Sequence, residues 1–216
     1  MSLQKVDLHR TNVPKNAVLL SEDDAIDYQW KLLRNWPIKS EVWAFKYGIS
    51  SLIGAAGFTG LYIGRYYRRK LKLQHYGYIT TLLSTVVSAS FGAGFLHVEF
   101  VMSDVLLEKT PCPVCVQTRA SLLQISSGVI YPLIISPILS AMIAVRIGVR
   151  MPYYTEWREL AKLWSKVTKP LAGRILLLIA FHGLMATGVT YYEAQQVYNI
   201  QEKLLIAEKD SPNRNK

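Results

Sequence analysis

Apolar and polar residues along this chain fall into blocks. Four uncharged stretches stand out, at 47–64, 76–98, 120–145 and 175–192. The first ends against Arg65 and the second at Glu99. The third lies between Arg119 and Arg146, and the fourth between Arg174 and Glu193. Crossing about 30 Å of hydrocarbon takes roughly 20 apolar residues. A charge at a helix centre costs roughly 2.5–3.5 kcal/mol on insertion, so boundaries this clean mark membrane spans. The pattern predicts an all-α fold, a four-transmembrane-helix membrane bundle. Core helices of a soluble domain are the weaker reading, because four such blocks crowd 216 residues.

Around this membrane domain, 45–195, the pattern sets a polar N-terminal segment, 1–44, and a polar C-terminal tail, 196–216. Within the first segment Ser21 has the character of an N-cap, with Asp24 at the capping-box position. A short amphipathic helix bearing Ile26, Trp30 and Leu33 follows and ends before Pro37. Between spans three and four the period changes to that of a surface helix. Trp157, Leu160, Trp164 and Val167 share one face, while Arg158, Lys162, Lys166 and Lys169 lie largely elsewhere. This predicts an amphipathic helix at the membrane interface. The alternative is a connecting helix docked on a partner protein.

Composition sharpens the picture. Half the residues are apolar, only 19% are charged, and the net charge is +10. Mean hydropathy is +0.16 and the pI about 9.6. The positive charges flank the apolar blocks, which points to anionic lipid and away from nucleic acid. Arg65, Arg68, Arg69 and Lys70 in the first loop, with Lys162 and Lys166 in the third, are the candidate lipid-contacting residues. The second loop is poor in positive charge. By the positive-inside rule, loops one and three share the cytoplasm-like side, and loop two shares the other with both termini. Asp7 and the run Ser21-Glu22-Asp23-Asp24 make the N-terminal region too acidic for a standard mitochondrial presequence.

Small residues recur where helices would touch. Gly54, Gly57, Gly60 and Gly64 run along the first span, and Ala89, Gly92, Ala93 and Gly94 lie in the second. Such residues let helices approach closely in lipid. With Trp157 and Trp164 they are the expected helix-packing or partner surface. Pro132 and Pro137 in the third span each remove a backbone donor and predict a kink or break.

The chemistry-bearing motif is Cys112-Pro-Val-Cys115 in loop two, which holds the only two cysteines. The pair suits a structural disulfide, a redox-active one, or half of a metal site. Zinc would need two further ligands, and neither His75 nor His97 sits at a suitable spacing, so no metal and no cofactor is expected. His182 in the fourth span reads as a histidine hydrogen-bonding between helices rather than a proton relay. No phosphate loop, zinc-protease pair or nucleophile elbow occurs.

Two resemblances follow from these residues. Gly54-Ala55-Ala56-Gly57-Phe58-Thr59-Gly60, then Arg68-Arg69, then Cys112 and Cys115 leading to Thr118-Arg119, then Tyr131-Pro132 and Lys169-Pro170 occur in one order. In that order and spacing the chain resembles the mitochondrial transmembrane protein 126 family, from about residue 45 to 195. It departs at Ser136-Pro137-Ile138-Leu139-Ser140, where the family often has an Asn-Gly turn. The resemblance implies a multi-pass protein of the mitochondrial inner membrane that helps assemble the membrane arm of respiratory complex I. Its partners would be membrane lipids, membrane-arm subunits and other assembly factors. With loops one and three in the matrix, the termini and the cysteine loop would face the intermembrane space. No enzymatic activity is expected on this reading. Pro111, Cys112, Cys115 and Arg119 also resemble the motif of bacterial quinone-linked disulfide-forming enzymes, which are four-helix bundles too. Those enzymes use a second cysteine pair, and this chain has none left over.

Overall fold

The computed structural model describes residues 20–149, 151–152 and 156–210. The first 19 residues with Asp7, the loop residue Arg150, and the last six residues of the tail lie outside this set.

Helix α1 (Glu22–Arg34) starts as the sequence predicts. Ser21 Oγ accepts from Asp24 N at 3.2 Å and donates to the Asp24 carboxylate at 2.6 Å. Its inner face, Ala25, Gln29 and Leu33, is buried. Helix α2 (Trp43–Lys70) follows. Helix α3 (Tyr78–His97), a π-turn at Val98–Met102 and α4 (Ser103–Leu107) form one continuous helix. Helix α5 (Pro113–Ile125), a second π-turn at Ser126–Ile130 and α6 (Tyr131–Arg146) form another. Helix α7 (Trp157–Thr168) leads through a short turn into α8 (Ala172–Asp210), the longest at 39 residues.

Among the described residues, three helices are long and apolar enough to cross a membrane by length and composition: Tyr78–Leu107, Pro113–Arg146 and the one ending at Ala207. They coincide with expected spans two, three and four. The remaining long helix, α2, falls outside that group because glycines, Ser50, Ser51 and Thr59 dilute its apolar residues. It is also the most enclosed, with Leu52, Ala56 and Ile63 fully buried. The other three carry most of the exposed apolar surface, including Ile79, Leu83, Phe91, Ile134, Met142, Leu176 and Phe181, while α2 adds Tyr47 and Phe58.

The expected interruption near the prolines takes a milder form. The helix stays continuous through Pro132 and Pro137. A proline ring clashes with the carbonyl four residues earlier. For Pro132 that residue is Gly128, which lies inside the π-turn, and such a turn relaxes the ladder.

The two ends of the bundle differ. At one end α1, α4, the start of α5 and the far half of α8 enclose a cluster that includes Leu33, Phe45, Val105, Leu106, Val116, Val197 and Ile200. Both described ends of the chain and the cysteine loop gather there. At the other end lie the α2–α3 and α6–α8 connections. Helix α7 is held there by Tyr66 Oη donating to Val167 O and by the Tyr67–Thr168 hydroxyl pair, both at 2.8 Å.

Candidate functional site

The cystine closes the N-terminus of α5. Cys112 and Cys115 are joined in a disulfide, with Cα atoms 5.3 Å apart. Cys112 is the N-cap, its Sγ accepting from Cys115 N at 3.3 Å, and Pro113 stands in the first turn, where no backbone donor is needed. One turn further on, Arg119 is ion-paired with Asp104 of α4. Asp104 also accepts from Thr110 Oγ1 at 2.7 Å. The guanidinium is thus committed to a carboxylate on the neighbouring helix, which offsets the field it would exert on a thiolate. The cystine is a clip on the first turn of α5, with Cys115 on the exposed surface, and the Arg119–Asp104 pair ties that helix to α4.

Two polar layers cross the interior. In the first, His182 is fully buried. Its Nε2 meets Thr59 Oγ1 at 2.9 Å and its Nδ1 meets Gln124 Nε2 at 3.2 Å. Gln124 Nε2 also donates to Leu52 O at 3.0 Å. The imidazole lies so close to Gly128 that a Cβ there would fall 2.6 Å from it. This is the interhelical hydrogen bonding expected of His182, and it ties α2, α5 and α8. In the second layer, His97 Nε2 and Glu193 Oε2 are 3.1 Å apart, at 3% and 0% exposure. The other carboxylate oxygen of Glu193 has no partner. Beside this layer Gln196 Oε1 accepts from Ala44 N at 3.2 Å, satisfying a donor in the first turn of α2. Sequence reading missed the His97–Glu193 pair. The residues are 96 positions apart, and Glu193 looks like an ordinary span boundary. Among the described residues, no three His, Cys, Asp or Glu side chains come together in a way that would hold a metal ion.

The glycines divide. A Cβ on Gly57, Gly60 or Gly64 would meet Ser90, Thr85 and Leu82 of α3 at 2.5, 3.3 and 2.8 Å, so these three form the α2–α3 contact. Gly54 does not join them. It is exposed with nothing within 4 Å, because it lies roughly a quarter turn round α2 from that face. The tryptophans divide too. Trp164 lies with Leu160, Leu163 and Val167 against Tyr67, Pro137 and Ala141, whereas Trp157 is 66% exposed.

Of the basic residues, Arg65, Arg69, Lys70, Lys162 and Lys166 are exposed. Arg68 corrects the expectation of lipid contact, being only 3% exposed. Its Nη1 donates to Gly77 O at 3.0 Å and Thr81 Oγ1 at 2.6 Å. Its Nη2 donates to Gln74 O at 3.0 Å and Tyr76 O at 2.7 Å. The connection curls round the guanidinium, and Leu73 plugs into the core beside it.

A family model described as TMEM126-like protein matches residues 2–196. A relative from Drosophila melanogaster, "Transmembrane protein 126", is 34% identical over 195 residues, covering 89% of this chain and 87% of the relative. No solved structure matches. With a match over nearly its whole length, this chain belongs to the TMEM126-like family.

Proposed function

We propose that this chain is an assembly factor of the mitochondrial inner membrane that binds membrane-arm intermediates of respiratory complex I. The observation that carries the proposal is the family membership across residues 2–196. The physical form suits it. Apolar side chains line the outside of three long helices, and the His182 layer inside holds helices together. An outward apolar surface of this kind can hold unassembled helical subunits. On this account α2 is a fourth span, its weaker hydropathy screened by its neighbours, and α7 lies at the interface. Loops one and three face the matrix, while the termini and the cystine face the intermembrane space.

Depletion from mitochondria tests the assembly role. Mature complex I is expected to fall, with membrane-arm intermediates left behind. Normal complex I content and activity would sink the proposal. For orientation, protease added to mitoplasts should degrade a C-terminal tag, and protection of that tag would reverse the topology.

The Cys112–Cys115 disulfide favours a second reading, a quinone-linked membrane thiol–disulfide oxidoreductase. It is the weaker one, since Arg119 is held by Asp104 and the chain has no second cysteine pair. On that reading Cys112→Ser or Cys115→Ser abolishes function. Full rescue of depleted cells by the double serine variant removes it.

A further inference from the structure

The connection between α2 and α3 forms a groove of about 680 Å³ lined by Arg65, Arg68, Arg69, Lys72, Gln74 and Tyr78. Four cations line it and no acid does. Arg65, Arg69 and Lys72 are exposed and make no ion pair among the described residues. We infer that this groove binds the headgroup of a phospholipid carrying two phosphates, with its acyl chains lying along α3.

The groove is built rather than being a loose run of charges. Arg68 collects the carbonyls of Gln74, Tyr76 and Gly77, so these oxygens are turned onto one guanidinium. Lys72 and Gln74 stand in the left-handed region, at φ 53° and 45°. That conformation is uncommon for residues other than glycine, and the surroundings must hold it in place. Leu73, fully buried between them, supplies the anchor. The strained turn fixes one side of the groove and Arg65 and Arg69 on α2 form the other. Its cations also sit at the C-terminal end of α2, where the helix dipole favours positive charge.

Size and charge select the ligand. A single phosphodiester brings one negative charge, which would leave most of this positive charge unanswered. A headgroup with two phosphodiesters answers two cations and fits a pocket of ordinary ligand size. The surroundings select a lipid over a soluble phosphate. Tyr76 and Tyr78 are exposed beside the groove at the start of a candidate span, the position that aromatic residues take at a membrane surface. Along α3 the exposed row Ile79, Leu83 and Val87, at four-residue spacing, gives acyl chains a track.

The test uses the full chain purified in a mild non-ionic detergent and native mass spectrometry. Cardiolipin, phosphatidylglycerol and inorganic pyrophosphate are titrated separately and in competition. Cardiolipin is expected to remain bound at about tenfold lower concentration than phosphatidylglycerol, with pyrophosphate displacing neither. The variant Arg65→Gln/Arg69→Gln/Lys72→Gln should weaken cardiolipin binding at least about tenfold, given roughly 1 kcal/mol per basic residue near an anionic surface. Lys162→Gln/Lys166→Gln, at the same end but outside the groove, should bind as the parent does. If the triple variant lacks the parent's helicity by circular dichroism, Lys72→Gln alone is used, with a loss of about threefold or more expected. Equal affinity for the two lipids, equal loss in the Lys162/Lys166 variant, or displacement of cardiolipin by pyrophosphate would overturn the inference.

Discussion

At the end of the bundle that carries the cystine, cations meet acids. Lys109 pairs with Glu22, Arg119 with Asp104 and Lys203 with Glu41. At the opposite end Arg65, Arg69 and Lys72 project with no acid against them among the described residues. The first end joins separate elements through these three pairs and closes over an apolar cluster. The second has the Lys162–Glu159 pair within α7 but leaves Arg65, Arg69 and Lys72 open to negative charge from outside the chain. A membrane protein with one end completed and the other left cationic has a built-in polarity, because anionic lipid can complete only the second. The bundle between the ends has its own contrast, an enclosed α2 set against three helices that show apolar faces outward.

The largest expected effect breaks the bundle centre that joins the two ends. Gly128→Leu forces side-chain atoms against an imidazole hydrogen-bonded at both nitrogens. Overpacking of this kind costs about 3 kcal/mol, read as a lower unfolding midpoint in mild detergent. Gly54→Leu, in open space, should change the midpoint little. Equal loss at both positions would mean that the close approach at Gly128 is not what holds the helices.

A smaller effect separates the inward arginine from its neighbours. Arg68→Gln removes charged hydrogen bonds to three carbonyls and is expected to cost about 2 kcal/mol. Arg69→Gln, exposed and unpaired, should stay within about 0.5 kcal/mol. Matching behaviour would dissolve the distinction between the cage and the groove it supports.

Smaller again is the clip at the other end. Cys112→Ser/Cys115→Ser opens a very short loop and is expected to cost about 1–2 kcal/mol. A collapse of the whole fold would show that the cystine does more than close the first turn of α5.

The smallest effect is a pH dependence at that same end. Hydrogen bonds from Lys203 and then from Trp36 hold the Glu41 carboxyl below its ordinary pKa, against a weaker opposing push from desolvation. A carboxyl whose pKa falls on folding contributes stability above its unfolded value and loses it as pH drops through the folded value. The tie from Glu41 to α8 should therefore loosen as pH falls below the ordinary carboxylate range, seen as a change in tryptophan fluorescence. Glu41→Gln should flatten that change. A transition that persists in the variant belongs to another group.

Much of this was legible in the sequence because it is local. The Ser21 cap, the stop before Pro37, the small-residue face at Gly57, Gly60 and Gly64, and three apolar helices all follow from neighbouring residues. What escaped depends on distant chain. The polar residues from 196 onward look like a tail, yet α8 runs on to Asp210, and Val197 and Ile200 turn inward into the cluster that holds Leu33 and Val105. Arg68 looks like its exposed neighbours until the following loop supplies a carbonyl cage. Glu193 reads as a span boundary until His97 is brought to it. Gly54 shows the opposite failure, a residue of the right type one step off the contact face.

The most direct measurement of the central claim is co-purification of the tagged full chain from mitochondria in mild detergent. Partners are identified by mass spectrometry against an untagged control. The account predicts enrichment of complex I membrane-arm subunits and other assembly factors, sustained when Cys112 and Cys115 are both serine. Recovery of the chain with no membrane-arm subunit above the control would contradict it.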